Sequence, residues 1–250
     1  MPASKPRPDA KAAALTAAAF TRHLLALQDD EELRKIQRYF KSGEGEYGHG
    51  DTFIGVRMGS IFALAKEFVA LPIDEIEKLL DSDIHESRVS ALSIMAKQFA
   101  LKTTTEAQRK ELYDLYLHRH DRINNWDLVD LAAWHVIGPW LVGKPHAILH
   151  NLAKSRNMWE RRTAILATFA FIKRGELDDT FAIAERLLTD PEDLIHKAAG
   201  GMLRAAGDKD LTALTGFLER HAASMPRTML RYAVEHLTPA QRKDWLGRGK

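Results

Sequence analysis

The strongest constraint on the fold of this chain is a basic residue that recurs at spacings of 31 to 35 positions, once before residue 90 and twice after residue 160. Arg57 and Arg88 are 31 residues apart, Arg162 and Lys197 are 35 apart, and Arg231 follows Lys197 after 34. Two helices with their turns occupy a period of this length, and one such pair cannot bury its apolar faces alone. The period therefore predicts helix pairs that stack on one another.

Local patterning favours helices throughout the chain. Ile61, Leu64, Ala65 and Phe68 keep the i, i+3, i+4, i+7 spacing of one helical face. Short breakers such as Leu71–Pro72 separate segments of helical length, and alternating runs of β-branched residues are missing. We therefore expect an all-α fold, a superhelical solenoid of antiparallel helix pairs.

Composition sets the outer limits of this fold. The chain has 250 residues, of which 45% are hydrophobic, enough for one domain or one repeat array. We expect residues 1–9 to form a disordered tail and residues 10–250 to form a single domain. The sequence contains no cysteine and no apolar run of membrane-spanning length, so we expect a cytoplasmic protein without membrane contact.

The recurrent basic position predicts a column of positive charge. Equivalent positions of stacked repeats line up along one surface, and we expect that surface to be concave. Regularly spaced cations suit the phosphates of a polyanion. The net charge of +2 is too small to indicate nucleic acid by itself. Alternatively, each arginine pairs with an acid on a neighbouring helix.

Asp130 occupies the position that holds a cation in the other repeats. It lies 32 residues before Arg162, and it lies four residues after Trp126, so the two side chains share one helical face. Asn124 or Asn125 is a suitable N-cap for this helix. One interpretation is a structural bridge from Asp130 to Arg162. The other is a carboxylate that stabilises a developing positive charge, beside an indole that offers its π face.

The segment Lys41–Gly55 is the one long loop that the sequence predicts. It contains five glycines and two aromatic residues, Tyr47 and Phe53. It is either a flexible connector or a loop that lies against the backbone of a ligand. Its glycines do not match a phosphate-binding P-loop, because the Lys-Ser/Thr ending is absent.

Several motifs of this sequence resemble a known family. The stretches that carry the resemblance are Tyr39-Phe-Lys near Gly55-Val-Arg57, Asn125-Trp-Asp-Leu-Val-Asp130, Trp159-Glu-Arg-Arg-Thr-Ala-Ile165, Ile195-His-Lys-Ala-Ala-Gly200 and Met225-Pro-Arg-Thr-Met-Leu-Arg231. Together they are similar to the DNA alkylation repair proteins of the AlkD type, which are DNA glycosylases built of HEAT-like repeats. The resemblance extends from about Phe40 to His236.

The resemblance implies removal of positively charged N3- or N7-alkylated purines from duplex DNA. We expect a monomer, because a curved solenoid that wraps DNA usually works alone, and we expect no cofactor. It implies that Asp130 stabilises the oxocarbenium-like sugar and places a water molecule. Trp126 is expected to pack against the lesion, and Arg162 to hold the DNA backbone. The residues expected to contact DNA are Tyr39, Lys41, Arg57, Arg88, Arg161, Lys197, Arg227 and Arg231.

One position departs from the family pattern. Gly201 stands where the resemblance leads us to expect a second aromatic residue of the site, in the stretch Lys197-Ala-Ala-Gly-Gly201. The alternative function is therefore a catalytically weakened or inactive DNA-binding protein of the same family. A third reading is a scaffold for an acidic protein partner.

The histidines suggest little metal chemistry. His146 and His150 are spaced to share a helical face, as zinc ligands do, but no carboxylate sits at the spacing of a His-Glu-x-x-His site. We therefore expect no metal.

Overall fold

The computed structural model describes residues 15–40, 43–44, 46 and 48–248. The predicted all-α fold is confirmed, because helices connected by short turns make up this part of the chain. Extended pairing in the described ranges is limited to one isolated parallel bridge between Thr52 and Ile84. The predicted N-terminal tail, Lys41 and Tyr47 lie outside the described residues.

The chain forms two compact units, one that ends at Ala132 and one that begins at Ala133. The helices of the first unit are α1 (Ala17–Leu25), α2 (Asp30–Tyr39), α3 (Met58–Glu67), α4 (Ile73–Leu80), α5 (His85–Ala100), α6 (Glu106–His118) and α7 (Trp126–Ala132), with a 3₁₀ turn at His120–Arg122 before α7.

The second unit begins with a π-helical turn at Ala133–Ile137, which continues directly from α7. Its helices are α8 (Gly138–Leu141), α9 (Ala147–Leu152), α10 (Met158–Ala167), α11 (Phe169–Ile172), α12 (Asp178–Arg186), α13 (Asp193–Lys209), α14 (Leu211–His221), α15 (Arg227–Ala233) and α16 (Pro239–Gly247), with a 3₁₀ turn at Leu187–Thr189. No helix of the described ranges is both long and apolar enough to cross a membrane.

Helix α5 forms the centre of the first unit. It packs against α3, α4 and α7, and Val89, Leu92, Ile94 and Met95 on it are fully buried. Burial of each such side chain contributes about 1.5–3 kcal/mol of transfer free energy. The first turn of α5 is different, because its buried residues are polar or charged, and these residues form the interior of the candidate site.

Helix α13 has the same central place in the second unit, where it packs against α10, α12, α14 and α15. The adjacent glycines Gly200 and Gly201 have opposite surroundings. A Cβ atom at Gly200 would lie 2.5 Å from the carbonyl oxygen of Met229 and 2.6 Å from Cβ of Tyr232, so only glycine allows α15 to approach this closely. A Cβ atom at Gly201 would meet no atom within 4 Å.

The two glycines therefore predict opposite effects of alanine. Gly200→Ala is expected to lower the free energy of unfolding by about 1–3 kcal/mol, because α15 must move away from α13. Gly201→Ala is expected to raise it by about 0.5–1 kcal/mol, because alanine restricts the unfolded chain and favours the helix. Urea unfolding followed by circular dichroism measures both values. Equal stability of the two variants would contradict this account of the packing.

Candidate active site on helix α7

Helix α7 carries Trp126 and Asp130, the two residues predicted to form the centre of the site. Asn125 caps this helix, since its Oδ1 accepts a hydrogen bond from the backbone N–H of Trp126 at 2.8 Å. Trp126 and Asp130 are one helical turn apart and half-buried, whereas the three residues between them are buried. The helix thus presents an indole and a carboxylate on its less buried side.

The indole of Trp126 belongs to an aromatic cluster. The ring of Phe40 stacks on it with centroids 5.4 Å apart and an angle of 14° between the planes. Phe53 stacks on Phe40 at 5.3 Å, and the ring of Tyr39 meets Trp126 edge to face at 5.7 Å. Tyr39 itself is 66% exposed. Neighbouring rings therefore set the orientation of the Trp126 side chain.

A cavity of about 310 Å³ lies beside this cluster. Glu32 and Arg57 line it and form an ion pair 3.0 Å long, in which the Arg57 side chain is largely exposed. The cavity is small for a binding site, since ligand pockets usually measure about 300–1,000 Å³. Its other lining residues are Ile36, Tyr39, Phe40, Phe53, Val56, Met58, Ile61, His85, Glu86, Val89, Trp126 and Asp127.

Beneath the cavity, the imidazole of His85 lies between two carboxylates. Its Nδ1 is 3.1 Å from Oδ2 of Asp51, and its Nε2 is 2.8 Å from Oδ2 of Asp127. The guanidinium of Arg88 donates to Oδ1 of Asp51 at 2.5 Å, and Nδ2 of Asn124 donates to the same oxygen at 2.7 Å. The side chains of His85, Asp51, Asp127 and Arg88 are all at most 5% exposed. We call these four residues with Asn124 the Asp51–His85 network.

The charges of this network determine its protonation. Burial alone would lower the pKa of the His85 imidazole, but the charges and hydrogen bonds of Asp127 and Asp51 outweigh burial and raise this pKa to about 9. Burial opposes ionisation of Asp51 as well. The hydrogen bond from His85 and the charge of Arg88 nevertheless lower the pKa of this carboxyl to about 2. At neutral pH, His85 is therefore an imidazolium that donates to both carboxylates.

The loop that supplies Asp51 is tied to helix α5. Glu86 accepts hydrogen bonds from the backbone N–H groups of Ile54, Gly55 and Val56 at 2.9–3.3 Å. Gly55 has a φ of +79°, and a Cβ atom there would lie 2.3 Å from the carbonyl oxygen of Asp29. The described end of the glycine-rich loop therefore brings Asp51 to His85. This is neither a flexible connector nor a ligand contact, the two roles that its composition suggests.

Arg88 lies in the interior, as part of the Asp51–His85 network. Arg161 forms a bidentate bridge with Asp190 at 2.5 and 3.1 Å. Arg162 is buried, and its Nη1 donates to the carbonyl oxygen of Leu194 at 2.7 Å. The alternative interpretation of the basic column, an arginine paired with an acid, describes Arg57, which pairs with Glu32 of helix α2, and Arg88, which pairs with Asp51 of the loop.

The other predicted DNA contacts lie nearer the surface. Lys197 pairs with Asp193 on the same helix at 2.8 Å, and Arg227 donates to the carbonyl oxygen of Leu246. Arg231 is exposed and makes a long hydrogen bond, 3.3 Å, to the hydroxyl of Thr228. Arg57 and Tyr39 are exposed beside the cavity of the first unit.

His146 and His150 share a carboxylate that sequence spacing does not reveal. Asp179 lies 2.6 Å from Nδ1 of His146 and 2.7 Å from Nε2 of His150, and the three residues link α9 to α12. The ring of Phe171 stacks on His146 with centroids 4.0 Å apart. Among the described residues, no group of three or more histidine, cysteine or acidic side chains is arranged to hold a metal ion.

Comparison with known proteins decides the family. The sequence profile described as "DNA alkylation repair enzyme" matches residues 20–237. The chain belongs to the DNA alkylation repair enzyme family. One solved structure, titled "Predicted DNA alkylation repair enzyme from Enterococcus faecalis", resembles this chain with a TM-score of 0.65 and 16% identity, over 85% of this chain and 97% of that one. At this identity the likeness concerns the fold. No curated protein matches the chain significantly.

The recurrent basic position and the family motifs predict Trp126 and Asp130 as site residues, but neither signal points to Asp51, His85 or Asp127. These three residues are 34 and 42 positions apart in the chain, so no local spacing connects them. One signal is present in the sequence, because helix α5 opens with His85, Glu86 and Arg88 in front of the segment 89–96, which contains no charged residue.

The protonation of His85 predicts a pH dependence of stability. The folded-state pKa lies above the unfolded value of 6.5, so this contribution is complete below pH 6.5 and is lost as the pH rises through about 9. It amounts to about 3 kcal/mol near neutral pH. We expect urea unfolding of His85→Gln to show a much smaller loss of stability between pH 6.5 and 9.5 than the wild type. His236→Gln, at an exposed histidine, serves as the control and should retain the wild-type slope.

Proposed function

We propose that this protein is a DNA glycosylase that hydrolyses the N-glycosidic bond of positively charged N3- or N7-alkylated purines in duplex DNA. The proposal rests on one observation: Trp126 and Asp130 lie on the same side of α7, in a chain of the DNA alkylation repair enzyme family. The helix is capped and anchored, so both side chains have a defined position before any substrate binds.

The chemistry suits a carboxylate without a general acid. An alkylated purine already carries a positive charge, so the bond from C1′ to the purine nitrogen breaks with its electron pair moving to the departing base. The sugar develops an oxocarbenium-like charge, as in other glycoside hydrolyses. Asp130 stabilises this charge and orients the water that adds to C1′, and the proton of that water leaves through the carboxylate to solvent.

In this proposal, the indole of Trp126 faces the positively charged purine. A cation over an indole gains about 0.5–2 kcal/mol, and the gain is larger in a desolvated site. The stacked ring of Phe40 and the edge of Tyr39 hold the indole in one orientation. Little conformational entropy is therefore lost when the lesion arrives.

Affinity for DNA is assigned to the cations that lie near the surface. Arg57, Lys197, Arg227 and Arg231 have at least partly exposed side chains, which suits contact with phosphates. Arg88, Arg161 and Arg162 have guanidinium groups bonded inside the protein, so the proposal gives them a structural role.

The central test is base release from methylated duplex DNA by the wild type and by Asp130→Asn. We expect the wild type to release N7-methylguanine or N3-methyladenine, and the variant to be slower by roughly 100-fold or more, because the sugar cation loses its counter-charge. Asp114→Asn, which changes the net charge equally at an exposed site on α6, is the control and should retain the wild-type rate. Failure of the wild type to release any base at high enzyme excess would refute the proposal.

A second candidate function is DNA binding without excision. The observation that favours it is the open space around Gly201, where the family resemblance predicts an aromatic residue. If the missing aromatic limits catalysis, Gly201→Trp should increase base release, whereas Gly216→Trp, at another helical glycine, should not. Salt-sensitive binding of duplex DNA by all variants, with no release by any of them, would favour this second function.

A further inference from the structure

Polar contacts hold the start of helix α7. The helix begins at Trp126 and continues directly into the π-helical turn Ala133–Ile137, so contacts at its first residues fix where this helical segment begins. Three polar side chains at or just before its first turn contact Asp51 or His85. Asn124 and Asn125 contact Asp51 at 2.7 and 3.5 Å, and Asp127 contacts His85 at 2.8 Å.

His85 is the element that joins the two carboxylates. Each ring nitrogen faces a carboxylate oxygen, so both nitrogens must carry a proton for both contacts to be hydrogen bonds. The rings of Phe40 and Phe53 lie against the imidazole, with centroids 5.1 and 4.7 Å away. The same Phe40 stacks on Trp126. His85 therefore supports α7 in two ways, through the carboxylate of Asp127 and through the aromatic cluster.

A need for stability alone does not explain a buried network of this kind. Removal of several charges from water is costly, and packed apolar residues often stabilise a protein as well or better. What charged hydrogen bonds add is a defined geometry, because they fix both distance and direction. The geometry fixed here is the start of the helix that carries Trp126 and Asp130.

We propose that His85 is a positioning residue of the active site, and that its links to Asp51 and Asp127 hold Trp126 and Asp130 in the arrangement that base excision requires. The proposal rests on the proposed glycosylase function for its catalytic consequence. Its structural content, the attachment of α7 by a protonated histidine, does not depend on that function.

The groups around His85 define how the arrangement responds to pH. Asp51 faces it from the loop before α3, Asp127 from α7, and Glu86 and Arg88 from its own helix. Glu86 is bound by backbone N–H groups and Arg88 by Asp51. When His85 loses a proton, one of the two carboxylates loses the hydrogen bond from the ring, so one link between helix α5 and the start of α7 is weakened, while Asn124 still contacts Asp51.

The first experiment is single-turnover base release from duplex DNA containing N7-methylguanine, over pH 6–10, with the wild type and His85→Gln. We expect the variant to be slower by on the order of 100-fold, the effect of a displacement of about 1 Å, with unchanged affinity for the duplex. The wild-type rate should fall as the pH rises through about 9, and the variant should lack this step. His85→Lys retains a cation and should recover part of the rate.

Ile183→Ala controls for lost stability, because it removes a buried side chain from α12 of the other unit. It should retain the wild-type rate and the wild-type pH profile. A His85→Gln variant that is as fast as the wild type, or that is slower with an unchanged pH profile, would overturn the positioning role.

The second experiment does not require catalysis. The emission of Trp126, obtained as the difference between the wild type and Trp126→Phe, is followed over pH 7–10 in both His85 backgrounds. We expect a step near pH 9 that is absent from His85→Gln. The absence of this step in the wild type would overturn the proposal. A clear step in a protein that releases no base would keep the positioning role and refute the glycosylase function.

Discussion

The ionic hydrogen bonds of His85 with Asp51 and Asp127 connect three parts of the first unit. One carboxylate comes from the glycine-rich loop and the other from α7, and the histidine lies on the central helix α5. A neutral ring could donate to only one of the two carboxylates, whereas Asp51 also accepts from Arg88 and Asn124. The imidazole contacts Phe40, whose ring stacks on Trp126, so the loop, the aromatic cluster and the start of α7 meet at His85.

The second unit depends on close approach of backbones. Gly200 lets α15 pack onto α13, and Gly138 lets the start of α8 pack against the end of α10, where a Cβ atom would lie 2.3 Å from the carbonyl oxygen of Ala167. Between these contacts, Arg161 and Arg162 tie α10 to the chain segment that enters α13. Arg162, at the recurrent basic position, and its neighbour Arg161 therefore connect helix α10 to the next part of the chain.

Much of the fold could be predicted because helical periodicity is a local property. The breakers and the spacing of apolar residues specify helices, and the residues around Asp130 carry a family motif. The exposure of the basic positions could not be predicted in this way. Arg88 and Arg231 occupy similar positions in the sequence pattern, yet Arg88 is buried because Asp51 reaches it from a loop 37 residues earlier.

Sequence patterns predict an all-α chain and Trp126 and Asp130 as the candidate site, and the sequence profile places the chain in the DNA alkylation repair enzyme family. The burial of individual charges, the protonation of His85, and the contrast between the tightly packed Gly200 and the open Gly201 arise only in the folded chain. The reason is physical: periodicity acts between neighbours in the chain, whereas desolvation, ion pairing and close packing depend on groups that only the folded chain brings together.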